Sequence, residues 1–316
     1  MMDNLSPSEA SLGKEQTPPV ILRYAAIDIG SNAVRLLLCN AVEEHGETHF
    51  KKSELVRIPL RLGEDVFQSG RISAARAARF TKTMHAFKLL IDVFEPVAYR
   101  ACATASLREA INGQELVKQI KKEYGLKIEI ISGKTEAELI YSNHVEEHLD
   151  KSKSYLYIDV GGGSTEVTLF HKEQCVFSQS FDIGTIRWLK GQVSKEKWYA
   201  FKDKIRGLVN DYRNVIAIGS GGNINKIFKM LDRKDKPLPF DKLKELYDEM
   251  KLHSIDDRME IWQLNPDRAD VIVPAAKIFL GIMKSAQINE IIVPQIGLSD
   301  GIIHQLHEQY KRGMVA

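Results

Sequence analysis

The sequence predicts two α/β domains of related topology facing each other across a cleft, and three observations carry that expectation. Ala26-Ile27-Asp28-Ile29-Gly30-Ser31-Asn32 and Tyr157-Ile158-Asp159-Val160-Gly161-Gly162-Gly163-Ser164-Thr165-Glu166 share one grammar: an apolar strand ending in Asp, then a turn of small residues. Each is followed by a second apolar run, Val34 to Leu38 and Val167 to Phe170, so each reads as a β-hairpin whose turn is the size of a phosphate. A third glycine turn, Gly219-Ser220-Gly221-Gly222, follows the apolar run Val215 to Ile218. One such hairpin is equally an ordinary glycine turn between buried strands. Two, with matched aspartates in two halves of the chain, point to an anionic ligand gripped from both sides.

The elements follow in order. Residues 1–22 are polar, hold Pro7, Pro18 and Pro19, and are expected to form a disordered tail. Tyr24 to Cys39 is the first hairpin, Phe50 to Ile58 a third strand, and Arg61-Leu62-Gly63-Glu64 a loop. Ser73 caps a helix running to about Phe94, with Ala74, Ala77, Ala78, Thr81, Met84 and Phe87 near a 3.6-residue period. Pro96 ends it before the short buried strand Val97 to Ala101. Ala103-Thr104-Ala105-Ser106-Leu107-Arg108 leads into a helix through Asn112. A strand at Lys127 to Ile131, the turn Ser132-Gly133, and a helix from Thr135 to about His148 complete the first half.

The second half repeats the scheme. It reads as a hairpin over 155–170, a strand near 175–182, helices within 185–212, a strand over 215–218 and helices from 222 to about 284. A last strand, Glu290 to Pro294, meets a turn at Gly297-Leu298-Ser299-Asp300-Gly301, after which Ile302 to Tyr310 is helical. The expected division is domain I at 23–133, completed by the C-terminal helix 298–316, and domain II at 134–297.

Composition narrows the function classes. At 316 residues and 44% hydrophobic content the chain can bury two ordinary cores. No apolar run approaches the roughly 20 residues of a bilayer span, and Asp3, Glu9 and Glu15 interrupt the start, so a cytoplasmic location and no membrane partner are expected. Cys39, Cys102 and Cys175 lie far apart and read as reduced thiols in cores. A net charge of +2 gives no reason to expect a nucleic-acid partner. Lys195, Lys197, Lys202 and Lys204, then Lys226, Lys229, Arg233, Lys234 and Lys236, are solvated helix faces or a basic approach to a phosphate-rich substrate.

Neither a P-loop nor a dinucleotide fingerprint is present, so phosphate handling rests on the hairpins. Phosphoryl transfer needs donors around the phosphoryl oxygens, an in-line nucleophile, and a group that orients or deprotonates it. Backbone N–H groups and hydroxyls of Ser31, Asn32, Gly161, Gly162, Gly163, Ser164, Thr165 and Gly221 are candidates for the cradle. Asp28, Asp159 and Glu166 are hard oxygen ligands suited to Mg²⁺, directly or through its waters. Glu166 is otherwise a surface acid on an exposed hairpin. Arg108 either reaches a phosphate or pairs with Glu109 or Glu136. Glu136 and Glu138 open a helix, where the dipole favours acids, and the spacing lets one of them face the cleft as a water-activating base. His144 and His148 sit one helical turn apart, the spacing of zinc sites, but lack a third ligand. His304 and His307 read as an exposed terminal helix.

These residues resemble the exopolyphosphatase/guanosine pentaphosphate phosphohydrolase (Ppx/GppA) family of the actin-like ATPase superfamily. The likeness extends over nearly the whole chain after residue 22. It rests on the two hairpin blocks, Ala103 to Arg108, Ile131-Ser132-Gly133-Lys134-Thr135-Glu136-Ala137, and Leu298-Ser299-Asp300-Gly301. The resemblance implies two ribonuclease-H-like domains around a central cleft, Mg²⁺ dependence, and release of terminal phosphate from inorganic polyphosphate or guanosine pentaphosphate. It places the water-preparing Glu on Glu136, its partner acids on Asp159 and Glu166, and the phosphate-contacting Arg on Arg108. It also makes a homodimer plausible and gives the chain the look of a short, two-domain member. Glu138 stands where many relatives carry Arg, and Gly219 to Asn223 is an approximate form of the third turn. The rival expectations are an actin-like kinase or ATPase, and a non-catalytic sensor of alarmone or polyphosphate.

Overall fold

The computed structural model describes residues 19–44, 46–142, 150, 152–172, 174–232 and 236–314. The first lobe opens with an antiparallel meander, β1 (Val20–Ile29), β2 (Val34–Glu44) and β3 (Glu47–Ile58). Helices α1 (Leu62–Ser69) and α2 (Ala74–Phe94) follow, then β4 (Ala98–Ala103), α3 (Ala105–Glu109), α4 (Gly113–Tyr124) and β5 (Ile128–Ile130). Strands β4 and β5 extend the sheet parallel to β1, giving the order β3-β2-β1-β4-β5. Helix α5 (Gly133–Tyr141) leads to the second lobe.

The second sheet begins with β6 (Ser154–Val160), β7 (Thr165–His171) and β8 (Gln174–Phe181). Then come α6 (Thr185–Leu189), α7 (Lys195–Val209), β9 (Val215–Ser220), α8 (Gly222–Met230), β10 (Leu238–Pro239) and α9 (Phe240–Met250). The chain finishes with α10 (Ile255–Ile261), α11 (Pro266–Ala269), α12 (Ile272–Ser285), β11 (Glu290–Ile292) and α13 (Leu298–Lys311). The order β10-β11-β9-β6-β7-β8 repeats the first sheet's scheme, with the two-residue β10 added at one edge. Each hairpin thus lies in the body of its sheet, where its strands are held on both sides.

Burial explains the apolar runs. Ala25, Ile27 and Ile29 face a core built with Phe80, Met84 and Phe87 of α2, while Tyr24 and Ala26 face α5 and α13 through Leu139, Ile302 and Leu306. A strand covered on both faces cannot alternate apolar and polar, and β1 does not. In the second lobe α12 is buried almost all round, with Ile278, Phe279 and Ile282 packed under Leu156 and Ile158 of β6. Ser73 caps α2 by accepting from Arg76 N, and Ser132 caps α5 by accepting from Thr135 N. No helix among the described residues is long and apolar enough to cross a membrane.

Several expectations need correction. The presumed loop at 61–64 turns helical at Leu62, with Arg61 left-handed at φ 52° as its cap. The helix expected through Asn112 ends at Glu109, and a separate helix, α4, follows. The presumed turn at Gly297 to Gly301 is the first turn of α13, where the Asp300 carboxylate accepts from Gly297 N at 3.0 Å. His307 is buried, not exposed: α13 lies back on β1, and His307 Nδ1 meets the Tyr24 hydroxyl at 3.2 Å. Cys39 and Cys102 are buried, whereas Cys175 is exposed near the free edge of β8. The tail at 1–18, the His144 and His148 pair, Arg233 and Lys234 lie outside the described residues.

Truncating Phe279 to Ala should cost about 3–5 kcal/mol, since it deletes a fully buried ring at the centre of the second core. A urea unfolding midpoint close to that of the parent protein would contradict this placement.

Candidate active site

Each hairpin closes through one short backbone bond, Gly30 N to Ala33 O at 3.1 Å and Gly161 N to Ser164 O at 2.9 Å. The two turns face each other: a Cβ built on Gly162 would lie 3.0 Å from Ser31 Cβ and 3.4 Å from Asn32 N. Helix α1 supports the first turn, with Gly63 N donating to Ser31 O and Arg61 N to Asn32 O. Residues at the start of α6 support the second, with Thr185 N donating to Gly161 O at 3.0 Å and Ile186 N to Gly162 O at 2.9 Å. Phe67 fills the space beneath Gly163, and the Arg187 guanidinium stacks on its ring at 4.1 Å while donating to Gly163 O.

Between the lobes is a cavity of about 540 Å³. Asp28, Ser31 and Asn32 line it from one side, and Asp159, Gly161, Gly162, Gly163, Ser164 and Glu166 from the other. Gly221 and Glu136 complete that set. Three residues singled out from sequence do not line it, Thr165, Arg108 and Glu138. The Thr165 hydroxyl, expected to serve a phosphate, instead donates to Ile183 O at 2.5 Å, because its side chain points into the second core.

The hairpin registers differ in one decisive way. Asp28 is paired across its hairpin with Arg35, and Asp159 with Glu166, each partner seven residues on. Asp28 therefore sits against a guanidinium, Arg35 Nη1 at 2.5 Å, while Asp159 faces a second carboxylate. Burial first, and Glu166 next, push Asp159 up to about 7 in spite of a hydrogen bond from Ser220. Position 221 accommodates this acid only as glycine, since φ is 95° and a Cβ there would be 2.6 Å from Asp159 Oδ1. Glu166, buried rather than a surface acid, accepts from the hydroxyls of Ser164 at 2.6 Å and Ser180 at 2.8 Å. Burial still raises its pKa against those bonds and the charge of Arg108.

Glu136 enters from the first turn of α5, which lies against β7 and β8. Gly133 permits that approach: a Cβ there would stand 2.7 Å from Ser180 Cβ. Burial, then the charges of Glu166, Asp159 and Asp28, hold the Glu136 carboxyl well above the usual carboxylate range, with Arg108 opposing. Its Oε2 is buried without a hydrogen-bond partner, and Arg108 Nη1 approaches it at 3.9 Å. The same guanidinium nitrogen donates to Ile131 O at 2.9 Å, so Arg108 meets Glu136 behind the cleft wall. Of the two acids on α5, Glu138 is the exposed one, 3.9 Å from Lys134.

Sequence reading offered Lys226 and Lys229 as a basic approach to a phosphate-rich substrate and missed four other cations: Arg35, Lys52, Arg57 and Arg268 line the cavity with them. Arg35 was legible, as the charge within the apolar run Val34 to Leu38 at the spacing that singles out Glu166. Arg268 was not, because α11 brings it from far along the chain. Burial, and the guanidiniums of Arg57 and Arg35, push Arg268 down to about 10.

Two repeated α/β lobes that present a glycine turn apiece to one acidic and cationic recess define a phosphate-handling protein of the actin-like ATPase fold. Residues 42–309 match the model of the Ppx/GppA phosphatase family, and the chain belongs to that family. The family is one of phosphatases, which makes the chain a hydrolase by membership. A relative from Haemophilus influenzae is 24% identical over 92% of this chain and 93% of its own length. A guanosine-5'-triphosphate,3'-diphosphate pyrophosphatase from Aeromonas hydrophila is 26% identical over 90% of this chain; the match spans 59% of that longer protein. An exopolyphosphatase structure from Cytophaga hutchinsonii superposes with a TM-score of 0.79 at 24% identity, covering 90% of this chain and 98% of that one. The Aquifex aeolicus family member gives 0.72 at 24% identity, covering 92% and 99%.

The raised acids set a pH dependence of stability. Asp159 holds its proton more tightly when folded than when unfolded, so its stabilising contribution is complete below its ordinary value of 3.8 and is lost as pH rises through about 7. Stability measured without divalent cations, and the melting temperature with it, should therefore fall as pH rises from about 4 to about 7, by up to roughly 4 kcal/mol from this group. Asp159→Asn should flatten the fall, and an equally steep fall in that variant would contradict the assignment.

Proposed function

We propose that this protein releases terminal phosphate from inorganic polyphosphate or guanosine pentaphosphate, with Glu136 activating the attacking water. The observation that carries this reading is the unpartnered, buried Oε2 of Glu136 at the wall of a cleft where two phosphate-sized turns meet. A carboxylate poised above its usual range, with a free lone pair and no competing donor, is suited to take a proton from water. The water oxygen bonds to phosphorus as its proton passes to Glu136, and the bridging oxygen leaves with the shortened substrate. Backbone N–H groups of the two turns, with Arg35 and Arg268, steady the phosphoryl oxygens as charge develops on them. Arg108, 3.9 Å from Glu136, keeps that carboxylate aimed at the cleft and favours its ionised form.

The donor set suits Mg²⁺, though not as three protein ligands. Asp28 is turned to Arg35 and Glu166 to two serine hydroxyls, and among the described residues no three His, Cys, Asp or Glu side chains converge on one metal position. Asp159, with Glu166 and Asp28 acting through water, would hold an ion that keeps much of its hydration and binds the substrate's own oxygens. Bound there, Mg²⁺ would lessen the repulsion that lifts Asp159 to about 7 and would offset phosphoryl charge.

Glu136→Gln should leave folding intact and lower turnover by about two to four orders of magnitude. Phosphate release from short polyphosphate, long polyphosphate and guanosine pentaphosphate, compared side by side with Mg²⁺, is the deciding assay; an undiminished rate would remove Glu136 from the mechanism. Label passing to an acceptor other than water would instead indicate a kinase. The pH profile offers a second check. A base must be ionised to work, so kcat/KM in the parent protein should fall on acidification with a limb above pH 4.5, the ordinary Glu value. A limb at or below that value would contradict the raised carboxyl.

A further inference from the structure

Helix α8 begins at the third glycine turn and carries two lysines that no acid among the described residues answers. Arg35, Lys52 and Arg57 each meet a carboxylate, from Asp28, Asp300 and Asp267. Lys226 and Lys229 line the same cleft and form no ion pair or hydrogen bond with any described residue. They lie four and seven residues beyond Gly222, on one face of the helix, so their backbone positions are about 6 Å and about 10 Å further along its axis. The guanidiniums of Arg35 and Arg268 converge at Gly222 itself, where a Cβ would lie 2.9 Å from Arg35 Nη2 and 3.4 Å from Arg268 Nη2.

Positive charge therefore runs as a line from the head of α8 outward, Lys226 half-buried and Lys229 exposed. A nucleoside placed along that line presents no charge to it. A linear polyphosphate presents charge at every residue, and its distal groups would meet a cation at each turn of the helix. We propose that Lys226 and Lys229 form an outer subsite for the distal phosphoryl groups of a linear polyphosphate, so that affinity rises with chain length. The inference rests on the phosphohydrolase reading above and narrows its substrate class.

Calorimetric binding of tripolyphosphate and of long-chain polyphosphate, in the Glu136→Gln protein with and without Lys226→Gln and Lys229→Gln together, tests it apart from turnover. Losing two partly exposed charge contacts should weaken long-chain binding by up to about 30-fold while tripolyphosphate binding changes less than about twofold. The salt dependence of long-chain binding should also become shallower. Equal weakening for both lengths, or none for the long chain, overturns the subsite. Parent protein that binds long chains more tightly yet releases no phosphate would support the subsite and sink the hydrolytic reading. Parent protein that hydrolyses guanosine pentaphosphate and gains nothing from chain length would do the reverse.

Discussion

Mutual repulsion among four carboxylates in one recess is the constraint around which the rest of this molecule is arranged. Burial and then the charges of Glu166, Asp159 and Asp28 raise Glu136, and burial with the charges of Glu166 and Asp28 raises Asp159. Such a cluster is costly to assemble, so its persistence demands that each acid be held by something other than its neighbours' tolerance. The holders are specific: Arg35 for Asp28, Ser220 for Asp159, two serine hydroxyls for Glu166, and Arg108 for Glu136. Glu136 has the weakest hold, with Arg108 at 3.9 Å and one oxygen without a hydrogen-bond partner.

The internal repeat sharpens this division of labour. Both hairpins place a charged side chain opposite their aspartate, seven residues on, but one supplies Arg35 and the other Glu166. The first lobe thereby neutralises its acid and contributes a cation to the cleft. The second doubles its acid and makes that corner negative. Related backbones have thus become unlike halves of one site through a single position in each hairpin.

Several side-chain contacts join the lobes beside the recess. Arg57 pairs with Asp267 and Arg61 with Asp270, and Asn32 donates to Asp267 O at 3.1 Å. Arg187 pairs with Glu109 while stacking on Phe67. These pairs are partly shielded from solvent, so they hold the turns in apposition better than exposed surface pairs would. Helices α5 and α13 add a hinge-side support, since α5 touches both the second sheet and α13, which lies across β1.

The hairpins, the Ser73-capped helix α2, and Asp28, Asp159 and Glu166 as the acids beside the turns were legible in the sequence because they rest on local signals, whereas spacing left Glu136 and Glu138 open and only the family resemblance chose Glu136. Such signals are an apolar run broken by small residues, or a serine three positions before its amide partner. Helix α4, the helical start at Leu298 and the burial of His307 were not, because packing against distant strands decides them. The fate of individual polar atoms was equally hidden. Nothing near Thr165 or Ser164 announces that one hydroxyl serves Ile183 and the other Glu166, and nothing near Arg268 places it beside Arg35. Sequence by itself determined the two-lobed α/β scheme and which acids flank the turns, since both follow from patterns within a few residues. Tertiary structure alone decided which acid stays unpartnered and which cations face it, since charge compensation depends on distances between segments that only folding brings together.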